Sequence, residues 1–467
     1  MPTTETPQAS PNLARQIWQS ILRTPISAST DRQRKRVVRD HIITHSRPIR
    51  VSAATLRYTH TWGLGGMSLV LVSMLMATGI LLMFAYQPVP GGAYQSIVRL
   101  EQEVGFGQLV RNVHHWSANL LVFIVGLHLL RVFFTGAVQS PRQFNWIIGL
   151  CLLAGILLSN FTGYLLPWDQ LSYWAITIST GMIGYIPGIG SALQNLIRGG
   201  SEIGSATLLL FYTIHTTVIP ALLALGMALH FWRVRKAGGV VIPEQADEEF
   251  SGEIGHGPKK VLFVPNLLIR EFSVGLILVA VVLLFSATID AGLGDPANPG
   301  MSPNPAKAPW YFVGLQELLL HFHPTIAVLL VPLLAIGFLL AIPYLRFDSA
   351  STGIWFFSKR GRQIALWAAG LGVVTTLTWI VLDERLGNAG AWMTGVPPIV
   401  SGGIIPLFLW GVAITAGYRI VNRKYARCNN ESIQGLFAFL FTVFVTLTVI
   451  GVWFRGTGMS LTLPWSS

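Results

Sequence analysis

Nine apolar runs follow one another along this chain, at about 64–86, 112–135, 145–166, 207–233, 270–290, 325–345, 363–382, 402–420 and 434–454. A run of roughly 20 such residues crosses a hydrocarbon core of ~30 Å as one helix. The runs are too long and too seldom alternating to be barrel strands. Only 11% of the 467 residues are charged, where a soluble domain carries about 25%. The sequence therefore predicts an all-α polytopic membrane protein.

Charge orients it. The basic clusters "DRQRKRVVRD" (31–40) with "SRPIR" (46–50), Arg131 with Arg142, "RVRK" (233–236), "SKRGR" (358–362) and "RIVNRKYAR" (419–427) fall between alternate runs. They share one side, which the positive-inside rule makes the cytoplasm. That expectation puts the N-terminus inside, the C-terminus outside and the chain in the cytoplasmic membrane of a prokaryote, bathed in lipid. The net charge of +12 is read as a membrane signal, not a nucleic-acid one. No cleavable signal peptide is expected, because the first sixty residues are polar and Arg-rich. "NLARQIWQSILR" (12–23) has helical apolar spacing and basic ends, suited to lying along the interface or to remaining a disordered tail. Two cysteines, Cys151 and Cys428, exclude a disulfide framework, and no CxxCH occurs to attach a c-type haem.

The second run, "RNVHHWSANLLVFIVGLHLLRVF" (111–133), puts three histidines among apolar residues. His114 and His128 are fourteen apart, which is about 40° around a helix and about 21 Å along it. His215 and His230 in the fourth run are fifteen apart, with Pro220 between them. A kink at that proline can absorb the extra residue. Runs two and four have the same direction, so His114 and His215 come to one depth and His128 and His230 to another. His115 points elsewhere. A single intramembrane histidine is ordinarily a hydrogen-bonded core residue, but two pairs at matched depths call for an occupant. Bis-histidine b-type haem is the natural one. Glycines repeat the interval: Gly65 and Gly79 in the first run, Gly149 and Gly163 in the third. They leave room for two flat rings, although small residues also suit bare helix packing. Arg111, Arg131 and Arg233 lie three residues from a candidate ligand, placed either to meet propionates or to snorkel.

"RNVHHWSANLL", "FTGYLLPWDQLSYWA", "FYTIHTTVIPALLALGMALHF" and "VPNLLIREF…DPANPGMSPNPAKAPWYF" together resemble cytochrome b of the Rieske/cytochrome b (bc-type) quinol-oxidising complexes. The likeness runs from about residue 57 to 345. The front is similar to the shorter, chloroplast-type cytochrome b and the back to a separate subunit IV, here fused. The resemblance implies a four-helix dihaem bundle plus C-terminal helices. Its expected boundaries are a cytoplasmic N-terminal segment (1–60), the dihaem domain (61–235), a cytoplasmic linker (236–269), a subunit IV-like part with the ef loop (270–345) and additional C-terminal helices (346–467). It implies His114 and His215 on an outer, low-potential haem and His128 and His230 on an inner, high-potential one. Quinol would be oxidised at an outer (Qo) site and quinone reduced at an inner (Qi) site, with protons released outside and taken up inside. A Rieske iron–sulfur protein, a c-type cytochrome subunit and a homodimeric complex are the implied partners. Trp174, Pro309, Trp310 and Tyr311 would border the outer site, and Arg235 the inner one.

Two departures stand out. The family's PEWY motif reads Ala308-Pro309-Trp310-Tyr311 here, so Pro309 occupies the place of a carboxylate expected to accept a quinol proton. Glu317 and Glu202 are the substitutes the sequence offers. "RYTHTWGLGG" (57–66) has no cysteine, so the extra inner haem of some relatives cannot be attached there. A dihaem anchor of a quinone-linked dehydrogenase explains the histidines but not the two long loops. A proton-relay transporter explains ionisable residues but not the 14/15 spacing with glycines.

Overall fold

The computed structural model describes residues 50–242, 260–348, 353–387 and 395–463, with 13–14, 17–18, 393 and 465 besides. Most of the 12–23 segment and the middle of the expected 236–269 linker lie outside the described residues.

Nine helices long and apolar enough to cross a membrane are present among the described residues, one for each predicted run. In chain order the helices are α1 (Leu64–Met83), α2 (Pro90–Gln102), α3 (Gly107–Phe134), α4 (Gln143–Tyr164), α5 (Gln170–Ile183), α6 (Gly190–Arg198) and α7 (Ser205–Lys236). There follow α8 (Phe263–Thr288), α9 (Trp310–His321), α10 (Ile326–Tyr344), α11 (Lys359–Leu386), α12 (Val400–Tyr425) and α13 (Asn429–Trp453). Helices α2, α5, α6 and α9 are the short ones and sit in the connections. A two-stranded antiparallel clip, β1 (Arg50–Ser52) with β2 (Lys260–Leu262), ties the chain before α1 to the start of α8.

The predicted kink in α7 takes a specific form. Residues Ile214–Val218 form a π turn directly before Pro220, with His215 inside it. Proline lacks the amide that an α turn needs, and a π turn accommodates one extra residue. The fifteen-residue interval is thereby brought into register with the fourteen of α3. Similar π turns precede Pro332 (Ile326–Leu330) and Pro406 (Val400–Ile404).

Helices α1, α3, α4 and α8 bury one core around Leu71, Val113, Leu121, Ile156 and Val282, and Tyr311 of α9 joins it. At the other end of α3, Phe133, Phe134 and Trp146 pack against Ile342, Ala365, Ile433 and Phe437. Phe133 and Phe437 stack at 3.9 Å between centroids, and Phe356 donates its amide to the Phe134 carbonyl at 2.9 Å. The C-terminal helices therefore pack directly onto the front bundle.

Candidate functional site: two histidine pairs and a cavity

The imidazoles of His114 and His215 have centroids 6.2 Å apart and planes at 69°. Those of His128 and His230 are 6.5 Å apart at 74°. Two imidazoles binding one ion through nitrogens at about 2.0 Å would have centroids about 6 Å apart, so both pairs fit a shared metal. No group of three or more His, Cys, Asp or Glu side chains able to hold an ion occurs among the described residues. An ion held by either pair would take two protein ligands, and its remaining donors would have to arrive with it.

Hydrogen bonds set the tautomers at the His114 end. Thr78 Oγ1 gives its proton to the Met74 carbonyl at 2.7 Å, so it accepts from His114 Nδ1 at 2.9 Å. His215 Nδ1 donates to the Ser159 carbonyl at 2.9 Å. Each Nε2 is left with its lone pair, the arrangement of a metal-binding histidine. At the other end, the His230 ring interacts with the backbone of Asn145.

Each predicted glycine backs one of these rings. A Cβ on Gly79 would lie 3.3 Å from His114 Cε1, on Gly65 3.5 Å from His128 Cε1, on Gly149 3.6 Å from His230 Cε1 and on Gly163 2.5 Å from His215 Cε1. Gly163 is the position where any side chain collides. The spacing of fourteen thus reflects two rows of contact, α1 against α3 and α4 against α7.

The arginines divide. Arg111 pairs with Glu101 and donates to the Ala291 and Gly292 carbonyls, so its charge is already met. Arg131 is buried and gives Nε to the His60 carbonyl at 3.3 Å, while its Nη2 has no partner among the described residues. Arg233 is buried, with its guanidinium 4.9 Å from the Phe144 ring centre. Arg235 is half-buried at the end of α7.

The His114 end opens on a cavity of about 970 Å³ lined by Gly79, His114, His115, Gly163, Tyr164, Asp169, His215, Lys307, Pro309, Trp310 and Tyr311, among others. His115 turns away from His215 and meets the Trp116 ring edge-on. Asp169 caps α5, accepting from the Ser172 amide at 2.8 Å, and its other oxygen accepts from the Gly294 amide at 3.0 Å. Trp174 is half-buried and donates Nε1 to the Asn298 carbonyl at 3.1 Å. Both contacts bind the loop after α4 to the loop after α8. Trp310 Nε1 donates to Asn119 Oδ1 at 2.8 Å. Tyr311 is buried, and burial raises its hydroxyl above the ordinary phenol range.

Neither substitute carboxylate lines this cavity. Glu202 is exposed in the loop before α7. Glu317 is fully buried on α9, facing the C-terminal helices. Arg455 Nε donates to its Oε2 at 3.0 Å, and His321 Nε2 lies 3.3 Å from its Oε1. His321 Nδ1 donates to Asp383 Oδ2 at 2.7 Å, and Arg455 also pairs with Glu384. Burial by itself would raise the Glu317 carboxyl, but the His321 and Arg455 hydrogen bonds outweigh it and hold it low. Burial would likewise lower His321, and its bonds to Asp383 and Glu317 raise it instead. Two charged residues on the cavity lining, Asp169 and Lys307, both lie in sequence segments that carry the resemblance, and Lys307 directly precedes Ala308-Pro309-Trp310-Tyr311. Arg455 had no local signal.

The family model "Cytochrome b/b6/petB" matches residues 51–238. Cytochrome b6 of Acaryochloris marina is 43% identical over 175 residues, which is 38% of this chain and 81% of that one. Cytochrome b6 of Synechococcus elongatus is 42% identical over the same length, with the same coverage. Among solved structures, a hyperthermophilic respiratory Complex III chain superposes with a TM-score of 0.60 at 22% identity, covering 84% of this chain and 91% of that one. The structural likeness extends the shared fold well beyond the segment matched by sequence.

Proposed function

The chain belongs to the cytochrome b/b6 family, and from that premise we propose that it is the dihaem cytochrome b subunit of a proton-translocating quinol oxidoreductase in the cytoplasmic membrane. The reading rests on one observation above others: two histidine pairs, 6.2 and 6.5 Å apart, stacked along the same two helices. Two b-type haems, one per pair, would supply one-electron transfer between the two faces of the bilayer.

His114 and His215 would hold the outer haem and His128 and His230 the inner one. Thr78 and the Ser159 carbonyl fix the outer rings with Nε2 free. Gly65, Gly79, Gly149 and Gly163 keep α1 and α4 close to those rings. Arg131, buried with its Nη2 unpartnered among the described residues, would meet an inner propionate, as would Arg233. Arg111 is engaged by Glu101 and serves the outer wall instead.

The cavity at the His114 end would be the quinol site. It brings the outer histidines and the Pro309–Tyr311 lip onto one apolar space, which a bare dihaem anchor would not need. Tyr311 and Pro309 shape the wall. Since Glu317 and Glu202 do not line it, neither would take the substrate's proton directly. A Rieske iron–sulfur protein would accept the first electron, a c-type cytochrome would follow it, and the complex would be a homodimer. Arg235, at the cytoplasmic end of α7, would border the inner quinone site.

The test is quinol-driven reduction of the purified complex. Added quinol with an oxidant for the iron–sulfur partner should reduce b-type haem, and a tight inhibitor of the outer cavity should abolish it. Haem reduced equally well with that cavity blocked would remove the outer-site reading.

A further inference from the structure

The outer lip lacks a free carboxylate. Pro309 has no side-chain donor or acceptor, and both oxygens of Asp169 are taken by amides. Two residues before Pro309, Lys307 lines the cavity. Its Nζ donates to the Val452 carbonyl at 3.0 Å, at the end of α13. An ammonium has three donors, so two remain. The bonded partner is neutral, and no carboxylate lies within ion-pair reach of Nζ among the described residues. The other cation on this wall, Arg111, is paired with Glu101. Behind the lip stands Glu317, itself held by Arg455 and His321. Burial holds the Lys307 ammonium below its ordinary range, and the negative charge of Glu317 offsets only part of that lowering. Tyr86, Tyr164, Tyr212, Tyr311, His114, His115 and His215 are the other titratable groups on its lining.

We propose that Lys307 is a catalytic residue of the quinol site: its free N–H groups bind a ring oxygen of the quinol and stabilise the singly deprotonated anion. The proposal rests on the outer-site reading above. A cation beside an acidic group lowers its pKa by about one to three units, and a fixed charge in an apolar site costs no reorganisation during reaction. The step balances without a protein base. The quinol O–H bond breaks, the proton goes to water at the cavity mouth, and the oxygen keeps the electron pair opposite the ammonium. Electrons leave afterwards, to the iron–sulfur partner. The lysine therefore replaces proton acceptance by a carboxylate with stabilisation of the product anion. The C-terminal extension supplies the carbonyl that holds it in place.

The experiment is quinol oxidation by the intact complex against pH, for the native chain, Lys307→Gln and Lys307→Arg. Removing the cation should raise the substrate's effective pKa. The acid limb of kcat/KM should then move up by about one to three pH units in Lys307→Gln, with a roughly tenfold or greater loss at neutral pH. Lys307→Arg keeps the charge and should keep the native limb. Unchanged haem spectra, and unchanged haem reduction by quinol through the inner site, report that each variant has assembled. A native profile in Lys307→Gln overturns the proposal, as does an upward shift in Lys307→Arg, which decides the matter if the glutamine variant fails to assemble. Absence of quinol oxidation in the native complex overturns the parent reading, and this one with it.

Discussion

The two ends of the bundle hold the same pair of imidazoles in different ways. At the His114 end both Nδ1 atoms have hydrogen-bond partners and the glycines sit tight, down to 2.5 Å for a Cβ on Gly163. That end opens on a large cavity, with a buried ion cluster behind its lip. At the His128 end the glycine contacts are ordinary, Arg131 Nη2 lacks a partner among the described residues, and aromatic packing joins the front helices to α10, α11 and α13. One end is built by hydrogen bonds and charge around an opening, the other is closed by apolar packing together with bonds from Arg131, Arg142 and Trp146 to backbone carbonyls. An opening cannot be held by core packing, because the atoms that would pack are what the cavity excludes. Polar contacts from loops and from the C-terminal extension take over that work.

The sharpest way to separate the ends is to break the cluster. Removing one partner of a buried ion pair leaves the other charge uncompensated and costs about 3–5 kcal/mol. Arg455→Ala should therefore loosen α9 and the lip, measurable as a lower unfolding midpoint in detergent and weaker quinol binding, while the His128/His230 chromophore keeps its spectrum. The pH dependence follows from the two shifts. The lowered Glu317 contributes stability that is complete above its ordinary value of 4.5 and is lost as pH falls through the depressed one. The raised His321 contributes stability that is complete below its ordinary 6.5 and is lost as pH rises through the elevated one. Thermal stability of this end should be greatest between those values, and His321→Gln should remove the alkaline decline.

A smaller contrast lies in the glycines. Gly163→Ala puts a methyl group 2.5 Å from His215 Cε1, whereas Gly149→Ala meets His230 at an ordinary 3.6 Å. Overpacking typically costs about 1–3 kcal/mol, so the first should displace a ligand and deplete the outer haem. The second should leave haem content unchanged. Equal effects would mean that the glycines only permit helix packing. Finer still is Thr78→Val, which removes the acceptor for His114 Nδ1. Loss of such a supporting bond typically costs about 10–100-fold in metal affinity. It should weaken the outer haem alone, read as preferential loss of one b-type signal on dilution.

Much of this arrangement was legible in the residues. The nine spans follow from the length of apolar runs, and the histidine pairs from rotation per residue along α3 and α7. The kink was readable as a location, since Pro220 must disturb its turn, but its π form depends on how the backbone relaxes. Glu317 was readable as an unusual carboxylate and misread in its surroundings. Its partner Arg455 is 138 residues away, and no periodicity links positions that only tertiary packing brings together. Glu202 was singled out for its place beside a family loop, yet it is exposed. Arg111 lies three residues from His114, as a propionate anchor would, but the loop after α8 brings two carbonyls to it. Contacts within one helix could be derived from spacing; contacts between loops could not.

The central claim is that each histidine pair binds its own haem. Haem extracted per chain, by absorbance of its pyridine complex, should be two in the native protein and one in both His128→Ala and His215→Ala, with a different b-type band lost in each. A native chain without haem, or two haems retained in either variant, would contradict it.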